Sequence, residues 1–138
     1  IYIAWSVTNR SPLIRIPVTR GEGTRVELRC PDSAANPYLT LAVCLQAGLD
    51  GIRNQIEPPA AVTENVFETR MSQKNKLGIE ELPADLGEAL AEFEKDEYLQ
   101  NVLGRHATEK YIEAKKSEWA DYRAQVSDWE INNYLYKI

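Results

Sequence analysis

The heptad Thr24-Arg25-Val26-Glu27-Leu28-Arg29-Cys30 constrains this chain more than any other stretch. Side chains of a strand repeat every two residues, so Val26, Leu28 and Cys30 share one face and Arg25, Glu27 and Arg29 share the other. Upstream, Leu13 to Val18 alternates around Ile14 and Ile16, and Arg20-Gly21-Glu22-Gly23 supplies a turn with two glycines free to take positive φ. The pattern predicts a hairpin from about residue 13 to 30 with one apolar face. Ile1 to Val7, rich in β-formers, predicts a preceding strand. Residues 1–30 therefore read as strands.

A helix follows in residues 31–54. Asn36 suits an N-cap, Pro37 suits the first helical position, and Tyr38 to Leu49 is apolar almost all round, the pattern of a buried helix. Gly48 and Gly51 are expected to loosen its end. Residues 55–82 carry Pro58-Pro59 and mixed polar residues, and read as a long loop. Loops of that length are uncommon inside a compact domain and often pack against something else. Residues 83–138 read as a helical subdomain. Pro83 opens a segment with Leu86, Ala89, Leu90 and Phe93 on one face. A short helix over Glu97–Leu103 stops at Gly104, and a third runs from about Ala107 to Val126. Ile112, Trp119 and Val126 are spaced by seven, as are Tyr122 and Trp129, which reads as a packing stripe. The tail from Trp129 to Ile138 is apolar for a terminus, and is expected to dock on a core or a partner. The fold class is α+β: N-terminal antiparallel strands followed by a C-terminal helical bundle.

The charge is unevenly divided. Residues 1–29 hold five arginines against two glutamates, a net +3, and no lysine. Residues 30–138 hold eleven basic and nineteen acidic residues, a net −8. A lysine-free basic segment on an acidic body, with a pI near 5.0, points to a local anion site and away from a nucleic-acid surface. No apolar run approaches the roughly 20 residues of a membrane span. Cys30 and Cys44 are too few for a disulfide framework and read as reduced packing residues. The lone His106 reads as a surface histidine. The first residues, Ile-Tyr-Ile-Ala-Trp, read as the middle of a strand, so the chain is expected to belong to a longer protein.

Three charges on one strand face need no explanation if that face is solvated. Buried, they need opposite charges or a metal. Arg10 and Arg15 lie on the neighbouring segment, with Arg15 on the face opposite Ile14 and Ile16. A strand pair can then present several guanidinium groups around one carboxylate. Guanidinium forks suit phosphate and carboxylate, and a glutamate among them keeps its charge by binding a divalent cation that can bridge phosphates. The residues imply a site for a polyphosphate and a carboxylate substrate.

Four motifs carry a family resemblance. They are Asn9-Arg10-Ser11-Pro12-Leu13-Ile14-Arg15-Ile16-Pro17, Arg25-Val26-Glu27-Leu28-Arg29, Asp32-Ser33-Ala34-Ala35-Asn36-Pro37-Tyr38 and Ala47-Gly48-Leu49-Asp50-Gly51-Ile52. In this order and spacing the chain resembles the C-terminal third of type I bacterial glutamine synthetase. The likeness continues through Glu113-Ala114-Lys115, Trp119 and Trp129-Glu130.

The resemblance implies that the strands belong to a catalytic barrel in a cytoplasmic, ATP-dependent ligase. That enzyme joins ammonia to glutamate through a γ-glutamyl phosphate. It implies that Arg10 and Arg15 hold the phosphates and stabilise the transferring group, that Arg25 contacts the nucleotide, and that Arg29 pairs with the substrate carboxylate. Glu27 would be a ligand of the Mg²⁺ or Mn²⁺ bound with ATP. A dodecamer of two hexameric rings is implied, with the C-terminal tail reaching into the opposite ring. Where adenylylated members carry a tyrosine this chain has Phe67, so that regulation is expected to be absent. The upstream domain, further metal ligands and the flap lie outside the segment, so the chain alone is expected to be inactive. A ligase joining glutamate to another amine, and a stand-alone interaction module, are the alternative readings.

Overall fold

The computed structural model describes residues 1–8, 10–63, 78–135 and 137. It divides into two compact units, Ile1–Ala84 and Asp85–Ile138.

In the first unit, the strands are short. Tyr2–Ile3 (β1), Trp5–Ser6 (β2), Ile14–Arg15 (β3), Glu27–Leu28 (β4) and Glu80–Glu81 (β5) form two sheets. β3 is central in a three-stranded sheet, parallel to β2 and antiparallel to β4. The antiparallel half of the expected hairpin is present, but the preceding strand adds in parallel. A parallel partner requires a connection longer than a tight turn. β1 pairs antiparallel with β5, matching Tyr2 with Glu81 and Ile3 with Glu80. The sequence reading of 55–82 as loop missed this strand, because two successive glutamates carry no alternation. Gly21–Gly23 forms a 3-10 turn, with Gly21 at φ 71°. Only glycine reaches that region without strain.

Pro37–Arg53 (α1) begins as the sequence predicts. The Asn36 side chain accepts from the backbone N–H of Tyr38 and Leu39 at 3.0 and 3.2 Å, and Pro37 opens the helix. Its end differs from expectation. Gly48 and Gly51 lie inside it, and Gln55 takes the left-handed conformation (φ 52°) just beyond it. The N–H of Ile56 then reaches the carbonyl of Gly51 and the N–H of Gln55 that of Ile52, closing the helix by a Schellman motif. The expected burial of α1 is corrected. No residue of the helix is buried, and Tyr38, Leu41, Leu45 and Ile52 are all exposed. An all-round apolar helix needs a surrounding shell, and the described residues do not provide one. The apolar face of β4 shares that fate, with Val26 and Leu28 exposed.

After α1 the chain turns back over the sheet. The Trp5 indole N–H donates to the Pro59 carbonyl at 2.6 Å, and the Val62 N–H donates to the Trp5 carbonyl at 2.9 Å. Between this strap and the sheet lies an apolar cavity of about 340 Å³, lined by Trp5, Leu13, Ile14, Val26 and Pro59 among others. Phe67, with the rest of Asn65–Glu68, lies outside the described residues.

The second unit is helical: Leu86–Lys95 (α2), Glu97–Leu103 (α3), Arg105–Arg123 (α4) and the short Asp128–Glu130 (α5), followed by a π-helical turn over Ile131–Leu135. Asp85 and Asp96 cap α2 and α3, their carboxylates accepting from the N–H of Glu88 and Leu99. Gly104, at φ 79°, lets the chain reverse from α3 into α4. α2, α3 and α4 pack on one another. Leu90 is buried, Phe93 meets Tyr111 edge-on at 5.8 Å, and Lys116 pairs with Glu94. Buried Thr108 donates its hydroxyl to the Gln100 carbonyl at 2.9 Å. The stripe splits: Ile112 and Trp119 are half-buried, whereas Tyr122, Val126 and Trp129 are exposed. In the tail, Tyr134 and Leu135 are also exposed among the described residues. No helix among the described residues is long and apolar enough to cross a membrane.

Candidate functional site

The register of the three-stranded sheet builds the site. β2 matches Trp5 with Ile14 and Ser6 with Arg15, while β4 matches Leu28 with Ile14 and Glu27 with Arg15. Residues opposite one another point to the same side of a sheet. One face therefore carries the row Trp5, Ile14, Leu28, and the other carries Ser6, Arg15, Glu27.

On the second face Arg15 and Glu27 form a cross-strand ion pair, with the terminal nitrogen Nη1 3.0 Å from Oε2. Arg25, two residues before Glu27 on the same face, grips the other oxygen. Its Nε and Nη2 donate to Oε1 at 3.0 and 2.7 Å, and its Nη1 donates to the Gly23 carbonyl at 3.1 Å. Both oxygens of one carboxylate are thus held by guanidinium donors. The result lowers the Glu27 pKa below the ordinary carboxylate value, chiefly through the Arg15 hydrogen bond and then through that of Arg25. The Nε of Arg15 is buried and has no acceptor among the described residues.

The candidates are not all brought together. Arg15, Arg25 and Glu27 form one cluster. Arg10 is exposed between β2 and β3, and Arg29 is exposed after β4, its backbone N–H bonded to the Leu13 carbonyl at 2.9 Å. Among the described residues, neither side chain bonds to the cluster. Ser6, which is 1% exposed and next to Arg15 in the register, was not singled out by sequence reasoning. Its position depends on the parallel pairing, which leaves no trace in the local pattern.

Glu27 offers anionic oxygens, the donor type that hard divalent cations prefer, and Oε2, which accepts one hydrogen bond where Oε1 accepts two, keeps a further lone pair. No group of three or more His, Cys, Asp or Glu able to hold a metal occurs among the described residues. Glu27 thus fits as one ligand of a metal site, not as a whole site. Cys30 lies apart from this chemistry; its thiol is pushed up, by burial first.

The segment is α+β and gathers two arginines around one carboxylate on one sheet face. Residues 1–134 match the family model "Glutamine synthetase, catalytic domain", and the chain belongs to that family. It is 50% identical to a glutamine synthetase of Clostridium saccharobutylicum over 137 residues, covering 99% of this chain and 31% of that relative. The glutamine synthetase of Thermotoga maritima is 48% identical over 136 residues, again 99% of this chain and 31% of the relative. The chain spans about a third of the length of the curated relatives it matches. Among solved structures, one described as "GmaS/ADP complex-Conformation 1" superposes with a TM-score of 0.82 at 37% identity, covering 96% of this chain and 29% of that one. The α+β class inferred from sequence holds.

Proposed function

We propose that this chain is the C-terminal part of a cytoplasmic glutamate–ammonia ligase and contributes the arginine-rich side of its ATP and glutamate site. The observation that carries the reading is the match of residues 1–134 to the glutamine synthetase catalytic domain. The ADP complex named for a structural neighbour supports a nucleotide at this fold.

In this reading a γ-carboxylate oxygen of glutamate attacks the terminal phosphorus of ATP and ADP leaves. The nitrogen of ammonia then attacks the acyl carbon, phosphate departs, and the nitrogen gives up one proton to become the amide. Such a reaction depends on positioning and on neutralising charge more than on a protein nucleophile. Arg10 and Arg15 hold the phosphates, and the unmet Nε donor of Arg15 is a hydrogen bond in reserve for an anionic oxygen. Arg25 contacts the nucleotide, and Arg29 pairs with the substrate carboxylate. Glu27 holds Mg²⁺ or Mn²⁺, which supplies charge neutralisation at the phosphates. Arg10 and Arg29, exposed and without partners in the cluster, are free to meet substrate. The remaining ligands come from outside this chain, so the segment alone is inactive. Exposed Trp129, Tyr134 and Leu135 suit contacts between subunits, in line with a dodecamer of two hexameric rings.

Phosphate release dependent on ATP, glutamate and ammonium tests the reading. It is compared in the full-length gene product, its Glu27→Ala variant and this chain alone. Turnover by the full-length protein only, lost in the variant, supports it. Steady glutamine formation by the isolated chain refutes the inactivity of the segment. Turnover with another amine in place of ammonium keeps the site and changes the substrate.

A further inference from the structure

We propose that Arg25 restrains the cation affinity of Glu27, so that this carboxylate takes a divalent cation together with an anionic ligand and only weakly without one. The inference rests on the reading of Glu27 as a metal ligand.

The geometry gives Arg25 two tasks in one guanidinium. Its Nε and Nη2 close on a single oxygen of Glu27, while Nη1 is tied to the Gly23 carbonyl. That carbonyl is itself fixed. Gly23 ends the 3-10 turn, and a Cβ there would stand 2.6 Å from the Thr19 methyl, so the turn closes tightly around this position. The turn thereby presents Arg25 to the carboxylate in one orientation. Arg15 holds the opposite oxygen from β3. Two fixed positive charges therefore face one negative charge.

A divalent cation coordinated by Glu27 would sit a few ångströms from both guanidinium groups. Arg25 is half exposed, so the interaction is strongly screened. Even at the dielectric of water, repulsion over ~5 Å corresponds to roughly a tenfold loss of cation affinity. Removing Arg25 also frees Oε1, but Arg15 still orients the carboxylate through Oε2. The charge effect therefore outweighs the lost orientation. An anionic group drawn to Arg25 cancels the same repulsion, which makes cation and anion binding mutually reinforcing. Arg25 acts here as a positioning residue, through Glu27.

The test is Mn²⁺ binding to the full-length gene product without nucleotide, followed by the electron paramagnetic resonance of free Mn²⁺. The part lost in Glu27→Ala defines binding at Glu27. Arg25→Gln and Arg25→Ala are expected to tighten that part by about tenfold at low ionic strength, with the gain shrinking in 0.5 M NaCl. Arg25→Lys, which keeps the charge, should stay within about threefold of the parent. A damaged fold weakens binding and cannot imitate this gain. Unchanged or weaker Mn²⁺ binding in the Gln and Ala variants overturns the proposal while leaving the metal role of Glu27 intact. If Glu27→Ala removes no Mn²⁺ binding, the metal role of Glu27 falls and this inference falls with it.

Discussion

Helix α1 of the first unit runs for 17 residues, is more apolar than any other helix here, and buries none of its side chains. Helix α2 of the second unit runs for 10 residues, carries four charged side chains, and buries Leu90 to 6% exposure. Composition alone would have ranked them the other way. What separates them is the supply of partners. α2 has α3 and α4 within its own unit, so a single apolar stripe suffices. α1 leaves much apolar surface exposed, including Tyr38 at 83% and Ile52 at 75% exposure, and the described residues cover it only in part. The end of the second unit behaves like α1, with Val126 and Trp129 exposed. A hydrophobic segment reports what it is built to meet, not whether that surface lies in the same chain.

The sharpest way to break this comparison is to truncate one leucine in each helix. Leu90→Ala should cost the second unit about 2–4 kcal/mol, the range for a buried leucine that leaves a cavity. Leu41→Ala, at a site 69% exposed, should change the first unit by less than about 0.5 kcal/mol. Hydrogen exchange of the chain, read separately over residues 37–53 and 86–123, measures both. Equal losses would mean that α1 is buried in solution.

The glycines give a second, smaller contrast. A Cβ on Gly87 in α2 would lie 2.5 Å from the indole nitrogen of Trp119 on α4, and 2.8 Å from its neighbouring ring carbon. A Cβ on Gly48 in α1 would meet nothing within 4 Å. Alanine favours helix over glycine by about 1 kcal/mol in a helix interior, as at Gly48, and by less in the first turn, where Gly87 lies. At Gly48 that gain should appear in full. At Gly87 overpacking of about 1–3 kcal/mol opposes it, so Gly87→Ala should destabilise on balance. Urea unfolding of the two variants checks the signs. A stabilising Gly87→Ala would show that Trp119 moves aside freely.

What was legible in the sequence follows the same division. The helices of the second unit were read from local signals: Gly104 as a stop and the spacing of Leu86, Leu90 and Phe93. The Asn36–Pro37 start of α1 was equally local. The site was half legible. Period-two alternation placed Arg25 and Glu27 on one face, and the apolar alternation around Ile14 placed Arg15 where it could meet them. Contact between Arg15 and Glu27 depends on register, which no local pattern encodes. The parallel addition of β2, the pairing of β5 with β1 and the place of Ser6 were missed for that reason. The end of α1 was misread because Gln55, not a glycine, adopts the left-handed turn. Its burial is not legible either, because apolar composition says that a helix needs a partner and not where that partner lies.

The finest contrast concerns two glutamates held in different ways. Glu27 lies below the ordinary carboxylate pKa because two arginines bond to it, Arg15 foremost. Glu130 is lowered by the Ser127 backbone N–H, and then by its hydroxyl, within a capping box. For both the sign is that of a depressed acid. The stabilisation is complete above the ordinary carboxylate value and is lost as the pH falls through the lower value of the folded state. Salt should separate them. Ion pairs at the surface are screened at 0.5 M NaCl, where the Debye length is only about 4 Å, whereas a bond to a neutral cap is largely spared. Titration of the side-chain carboxyl ¹³C signals should show the Glu27 midpoint rising toward the ordinary value in salt, with that of Glu130 moving less. Equal movement would mean that the guanidinium groups hold Glu27 by hydrogen-bond geometry and that their charge contributes little. The restraint of Arg25 on cation binding at Glu27 would then lose its electrostatic basis.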